Sequence, residues 1–188
     1  MALTTLDAKT ALVVIDLQRG IVALPTAPHP SQQIVERSVT LLDAFRRHNL
    51  PVVLVNVAAG APGRTDQGAH AGDFPAEFTE LLPELKQQPS DHLVTKRTWG
   101  AFSNTDLAAY LQKQGVTQIV LVGIATSIGV ESTARFASEH GLNVTLVVDA
   151  MTDLNADAHA NSITRIFPRL GETGTVQEVL DLLEKTRA

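Results

Sequence analysis

The chain of 188 residues contains no cysteine. That absence excludes disulfides, thiolate metal sites and thiol nucleophiles together. Long apolar runs are missing too. None approaches the roughly 20 residues that a membrane span needs. The N-terminus has no basic stretch followed by an apolar core, so no signal peptide is expected. There is no cationic excess. The formal net charge of -5 argues against nucleic acid and anionic membranes as partners. Neither a phosphate loop nor a dinucleotide glycine fingerprint occurs, and no cofactor is expected. The histidines at 29, 48, 70, 92, 140 and 159 are scattered. None pairs with a carboxylate or another histidine at helix or finger spacing, and the one close pair, His70 and Asp73, sits in a loop. No metal site is expected. A cytoplasmic location is the default.

What is present suits a folded domain. Hydrophobic residues make up 44% and charged residues 19%, which is a core-forming composition and not a disordered one. The length fits one domain spanning residues 1–188. Three runs, TALVVID from Thr10, PVVLVNV from Pro51 and QIVLVGIA from Gln118, are β-branched and almost unbroken. Such runs fit parallel strands buried on both faces. NVTLVVDA from Asn143 is a fourth strand, HLVTK from His92 a shorter fifth, and a sixth is expected near Glu172 to Thr175.

Helical patterns alternate with them. Residues 31–49 carry Val35, Val39 and Leu42 on one stripe, with Ile34, Leu41 and Phe45 beside it, and Ser31 as expected N-cap. Residues 105–115 place Leu107, Tyr110 and Leu111 together and end at Gly115. Further helices are expected at 130–140 and 156–166. A final helix, TVQEVLDLLEK from Thr175, opens on a Thr175/Glu178 capping box and buries Val176, Val179, Leu180 and Leu183. Alternating strands and helices imply βαβ units, hence a three-layer α/β/α architecture around a six-stranded, mostly parallel sheet. Residues 58–89 are rich in Gly, Pro, Ala and Asp. A connection that long points to a lid, an interface or a binding segment.

Open α/β sheets bind ligands beyond the carboxyl ends of their strands. Asp16 closes the first strand there. A carboxylate at a buried strand end is costly unless it is paired or used; an Asp capping the next turn is the plainer reading. Lys96 closes the weak strand and suits a partner that holds such a carboxylate ionised. Arg97 competes for that role, but successive strand residues face opposite ways, so one of the two points inward. The lone tryptophan, Trp99, and Phe102 follow in a loop, as pocket walls or packing residues. The stretch GIATSIGVESTAR from Gly123 reads as a strand-to-helix turn. Its backbone N–H groups suit an anion or oxyanion; the plainer reading is Thr126 or Ser127 as the N-cap of the helix that follows. The turn lacks the G-x-S-x-G form, which counts against Ser127 as a nucleophile. Gln18 and Thr126 complete the candidate substrate contacts with Trp99 and Phe102.

Taken in order, ALVVIDLQRGIV, the run from VTKRTWGAF to VVDAMTD, and IFPRLGETGTVQEVL resemble the isochorismatase-like hydrolase family over essentially the whole chain. The resemblance implies the fold just described, with Asp16 and Lys96 as catalytic residues. It implies a cis peptide at Ile124–Ala125, with the N–H groups of Ala125 and Gly129 facing an oxyanion. It implies a homo-oligomer acting on a small-molecule substrate. In the family's larger branch a cysteine attacks an amide carbonyl. Gly129 stands at that position, so thiol attack is excluded. The Asp and His metal ligands of nicotinamidases are also missing, since NVAAGAPG follows the second strand.

The isochorismatases proper resemble this chain in having glycine there. They cleave a vinyl ether by protonating its carbon from the aspartate. That chemistry requires a raised Asp16 pKa, which Lys96 opposes. Arg64 is a candidate ligand for a substrate carboxylate. The expected function is a hydrolase without a cysteine nucleophile, Asp16 acting as general acid or base. The alternative is an inactive relative that binds a small ligand or serves as an assembly unit.

Overall fold

In the computed structural model, residues 3–66, 68 and 72–186 are described. The strands and the longer helices, leaving aside the single turns Arg19–Val22 and Ala76–Thr79, follow in order. They are β1 (Thr10–Ile15), α1 (Ser31–Arg47), β2 (Val52–Val57), β3 (His92–Lys96), α2 (Leu107–Lys113) and β4 (Gln118–Ile124). Then come α3 (Glu131–Glu139), β5 (Asn143–Thr152), α4 (Ala156–Asn161), β6 (Glu172–Gly174) and α5 (Val176–Thr186). The strands form one sheet in the order β3-β2-β1-β4-β5-β6. Every pairing is parallel, which is the expected α/β architecture.

Strand parity divides the core into two layers. In β1, Leu12 and Val14 join the cluster under α1 and α5, where Phe45, Val179 and Leu183 pack. Ala11, Val13 and Ile15 face the opposite cluster, with Leu107 and Leu111 of α2 and Ala134 and Ala137 of α3. A strand buried on both faces needs apolar residues at every position, and β1 and β4 are buried throughout. Fully burying each such Val, Leu or Ile contributes about 1.5–3 kcal/mol.

Local signals held at some helix ends and failed at one. Thr175 and Glu178 bond reciprocally at the start of α5, as a capping box should. Gly115, after α2, adopts φ +67°. Ser31 does not cap α1. Pro30 occupies that position, and the Ser31 hydroxyl donates instead to the carbonyl of Val22. β5 runs two residues past the expected Ala150. Its register against β4 shifts between Leu121 and Gly123. Gly123 itself has φ +122°, and a Cβ there would lie 2.1 Å from the Ile15 carbonyl oxygen. Only glycine lets β1 and β4 approach this closely.

Strand order reverses between β1 and β4. A ligand crevice is expected outside the carboxyl ends of strands at such a switch point. No helix among the described residues is long and apolar enough to cross a membrane.

Candidate active site at the switch point

Asp16 is the first residue beyond β1. Its φ is +52°, a left-handed conformation that Asp tolerates better than most residues. Its N–H donates to the Val55 carbonyl, and its own carbonyl accepts from Gln18. The backbone therefore leaves the sheet sharply while remaining tied to β2. Lys96 ends β3 and reaches across the end of β2. Its Nζ lies 2.7 Å from Asp16 Oδ2. Both side chains are almost completely buried. The other carboxylate oxygen, Oδ1, is buried with no hydrogen-bond partner among the described residues.

Burial dominates the titration of this carboxyl. Desolvation raises the Asp16 pKa from 3.8 to about 6, although Lys96 pulls it down through both charge and hydrogen bond. The opposition anticipated from the sequence is real, and desolvation outweighs it. Arg97 points the other way, as alternation requires, and pairs with Asp73 at the surface.

Asp16 and Lys96 sit in a cavity of about 320 Å³. Ala125, Ile128 and Gly129 close it from the turn after β4, and Trp99 from the loop after β3. The long segment after β2 supplies Ala59, Gly60, Phe74 and Phe78, so it forms a wall of the cavity. Phe74 and Phe78 tilt against each other at 4.8 Å. Gly20 makes room for that wall, because a Cβ there would lie 1.9 Å from the Phe78 ring.

Gly129 is packed tightly. A Cβ at this position would lie 2.9 Å from Ile15 Cγ2 and 3.2 Å from Asp16 Oδ2. The turn is a wide helical turn, Thr126–Val130, that runs into α3. Such turns recur at functional sites. The Ile124–Ala125 peptide before it is cis. The N–H groups of Ser127, Ile128 and Val130 are already engaged, with Asp153 Oδ2 and the Ala125 carbonyl. None of these is one of the two N–H groups, Ala125 and Gly129, that the resemblance assigns to an oxyanion.

Three expected substrate contacts fall outside the cavity lining. Gln18 is fully buried; its amide bonds to the N–H and carbonyl of Val57 and to the Phe78 carbonyl. It clamps the aromatic wall to β2. Phe102 turns to the opposite side of the loop, against His140. Thr126 is fully buried, 2.8 Å from His159 Nδ1. Neither Thr126 nor Ser127 caps the helix through its side chain. Arg64 is exposed and does not line the cavity. His70 lies outside the described residues, and among those described no three His, Asp or Glu side chains are grouped to hold a metal.

Several supporting residues carried no sequence signal. Asp153 is buried and accepts from the N–H groups of Ser127, Leu154 and Asn155. His159 lies close to Asp153 and His29, and burial lowers its pKa. Thr133 donates to the Gly129 carbonyl and accepts from the Ala101 N–H, tying the turn to the Trp99 loop. Each acts across a long sequence separation and sits in a segment that reads simply as helix or strand end.

The isochorismatase domain family matches residues 10–178. The chain is 44% identical to the uncharacterized isochorismatase family protein YwoC of Bacillus subtilis, covering 92% of this chain and 93% of that one. It is 41% identical to the uncharacterized family protein YecD of Escherichia coli O157:H7, covering 95% and 98%. A solved isochorismatase family protein from Burkholderia thailandensis superposes with a TM-score of 0.92 at 42% identity, covering 96% of this chain and 98% of that one. With the switch-point cavity, the Asp16–Lys96 pair and these matches in hand, the chain belongs to the isochorismatase family.

Proposed function

We propose that this protein hydrolyses a small molecule by proton transfer from Asp16, without a covalent enzyme intermediate. The reaction best suited to the site is vinyl-ether hydrolysis. Lys96 acts as the electrostatic partner that holds Oδ2. The observation that carries this reading is the buried, unpartnered Asp16 Oδ1 on a carboxyl whose pKa lies near 6. A proton donor works best when its pKa is near the working pH.

The steps balance. Protonated Asp16 delivers its proton to the terminal vinyl carbon, whose π electrons form the new C–H bond. The resulting oxocarbenium ion is stabilised by the carboxylate left behind. Water adds to the oxygen-bearing carbon of that ion and returns a proton to Asp16. The hemiacetal or hemiketal then collapses to an alcohol and a carbonyl compound. The N–H groups of Ala125 and Gly129 orient the substrate oxygen. The lack of cysteine removes the thiol route.

A panel of vinyl ethers, amides and ureides tests this, with wild type and Asp16→Asn compared. Hydrolysis of a vinyl ether that drops at least a hundredfold in Asp16→Asn is expected. Unchanged turnover in that variant overturns the reading. No turnover of any panel member, combined with saturable ligand binding, favours an inactive binding relative. We further propose that the protein is a homo-oligomer, as the family resemblance implies; sedimentation of the purified chain as a monomer would retire that.

A further inference from the structure

We propose that the substrate is uncharged, a compact molecule with an apolar, ring-sized body and one reactive polar group, and that carboxylates are rejected. The inference rests on the cavity being the reaction site.

The first ground is charge. Among the described residues, Asp16 and Lys96 are the titratable side chains lining the cavity, and they are already matched to each other at 2.7 Å. An incoming carboxylate finds no other cation among the described lining residues. With Asp16 ionised, the form that prevails at pH 7.5 for a pKa of about 6, capturing Lys96 would strip it of its partner and leave two anions sharing one cation in a buried space, a costly arrangement. The unpartnered Oδ1 adds direct repulsion. The neighbouring arginines are committed elsewhere. Arg19 holds Glu80 at 2.6 Å, and Arg97 holds Asp73.

The second ground is the wall. Phe74, Phe78, Trp99, Ile128 and Leu154 present hydrocarbon around the acid. A carboxylate entering that surface loses hydration, and the neutral N–H groups of Ala125 and Gly129 serve an uncharged carbonyl or ether oxygen without that cost. An apolar ring gains from burial at each of these contacts. The third ground is size, since about 320 Å³ lies at the small end of the range for ligand pockets.

The chain's single tryptophan is Trp99, in the cavity wall, so its fluorescence reports binding without turnover. The test titrates the full chain at pH 7.5 with benzamide against benzoate, and cyclohexanecarboxamide against cyclohexanecarboxylate. Each amide is expected to shift Trp99 emission saturably, at least tenfold more tightly than its carboxylate. Leu154→Arg, at the exposed rim of the cavity, is expected to shrink or reverse that preference. Equal or tighter carboxylate binding, or no saturable binding of either amide, overturns the proposal. The reaction is judged separately. Amide binding without vinyl-ether turnover retires the mechanism and keeps the substrate class. Preferential hydrolysis of 4-carboxyphenyl vinyl ether over phenyl vinyl ether keeps the mechanism and retires the class.

Discussion

Lys96 Nζ meets one oxygen of Asp16 at 2.7 Å, and the other oxygen of the same carboxylate has no hydrogen-bond partner among the described residues. The two oxygens thus have separate employment. Oδ2 is anchored, and in the proposed mechanism Oδ1 is the oxygen that moves a proton. If Asp16 is the acid, activity needs its protonated form. The logarithm of kcat/KM for a vinyl ether is therefore expected to be level below pH 6 and to fall with rising pH through about 6. A profile that rises through the same pH identifies a base instead. Loss of a positioned general acid costs typically 10²–10⁴-fold, so Asp16→Asn should show a loss of that order and no limb near 6.

Lys96→Met separates anchoring from packing. Lys96 lowers the Asp16 pKa, so its removal moves the activity limb to higher pH. Stability shifts with a definite sign. The native state holds the Asp16 proton more tightly than the unfolded state does. The stabilisation this gives is complete below about pH 4 and is lost as pH rises through about 6. The raised pKa corresponds to about 3 kcal/mol across that window. Without Lys96 the window widens upward. Urea unfolding should then show a deficit for Lys96→Met that is larger at pH 8 than at pH 5, with equal deficits arguing that the pair is uncoupled.

Gly129→Ala tests what the glycine allows. The added Cβ would sit 2.9 Å from Ile15 Cγ2 and 3.2 Å from Asp16 Oδ2. Overpacking of this kind costs about 1–3 kcal/mol. Ile15→Ala removes the blocking methyl, so the Gly129→Ala penalty should shrink in that background. A double-mutant cycle with no coupling would show that the turn yields elsewhere. The same crowding bears on Gly129→Cys, in which a thiol must push into the space beside Asp16.

The strands, their parallel pairing and the inward turn of Lys96 were legible because each follows from local pattern or from the resemblance. A run buried on both faces has to be apolar, alternation lets only one of Lys96 and Arg97 turn inward, and the resemblance points to Lys96. Asp16 and Gly129 were legible through the resemblance more than through spacing. What stayed hidden is what depends on distant chain segments meeting. Gln18 reads as a polar residue near a site, and only the fold shows that Val57 and Phe78 consume its amide. Phe102 and Trp99 are three residues apart in an irregular loop, where no period says which way each ring points. Thr126 and His159 are 33 residues apart and meet at 2.8 Å. A lone histidine on a helix gives no hint of that.

Gly20→Ala should deform the cavity without touching the acid. Its Cβ would lie 1.9 Å from the Phe78 ring, so the ring must leave its place. Phe78 is part of the wall that Gln18 holds. The expected result is a raised KM, or a weaker Trp99 response to benzamide. The pH limb near 6 should stay where it is. A shifted limb would mean that the aromatic wall also sets the desolvation of Asp16.

His159 is the second group whose ionisation bears on the turn. Burial lowers its pKa first, and His29 adds to that, against an opposing pull from Asp153. Burial thus disfavours the charged ring in the native state, where the ring lies against Thr126 behind the cavity. The sign is opposite to that of Asp16. The stability His159 contributes is present above its unfolded pKa near 6.5 and is lost as pH falls, because the unfolded chain takes up the proton first. Replacing His159 by Gln keeps a polar partner for Thr126 and removes the titration. The wild type should lose stability relative to His159→Gln as pH drops from 7 to 5, measured by urea midpoints at each pH. Parallel curves would mean that His159 titrates alike in both states and leaves the turn untouched. Convergence of the two proteins at pH 7, with separation at pH 5, would mark His159 as the residue that makes this turn acid-sensitive.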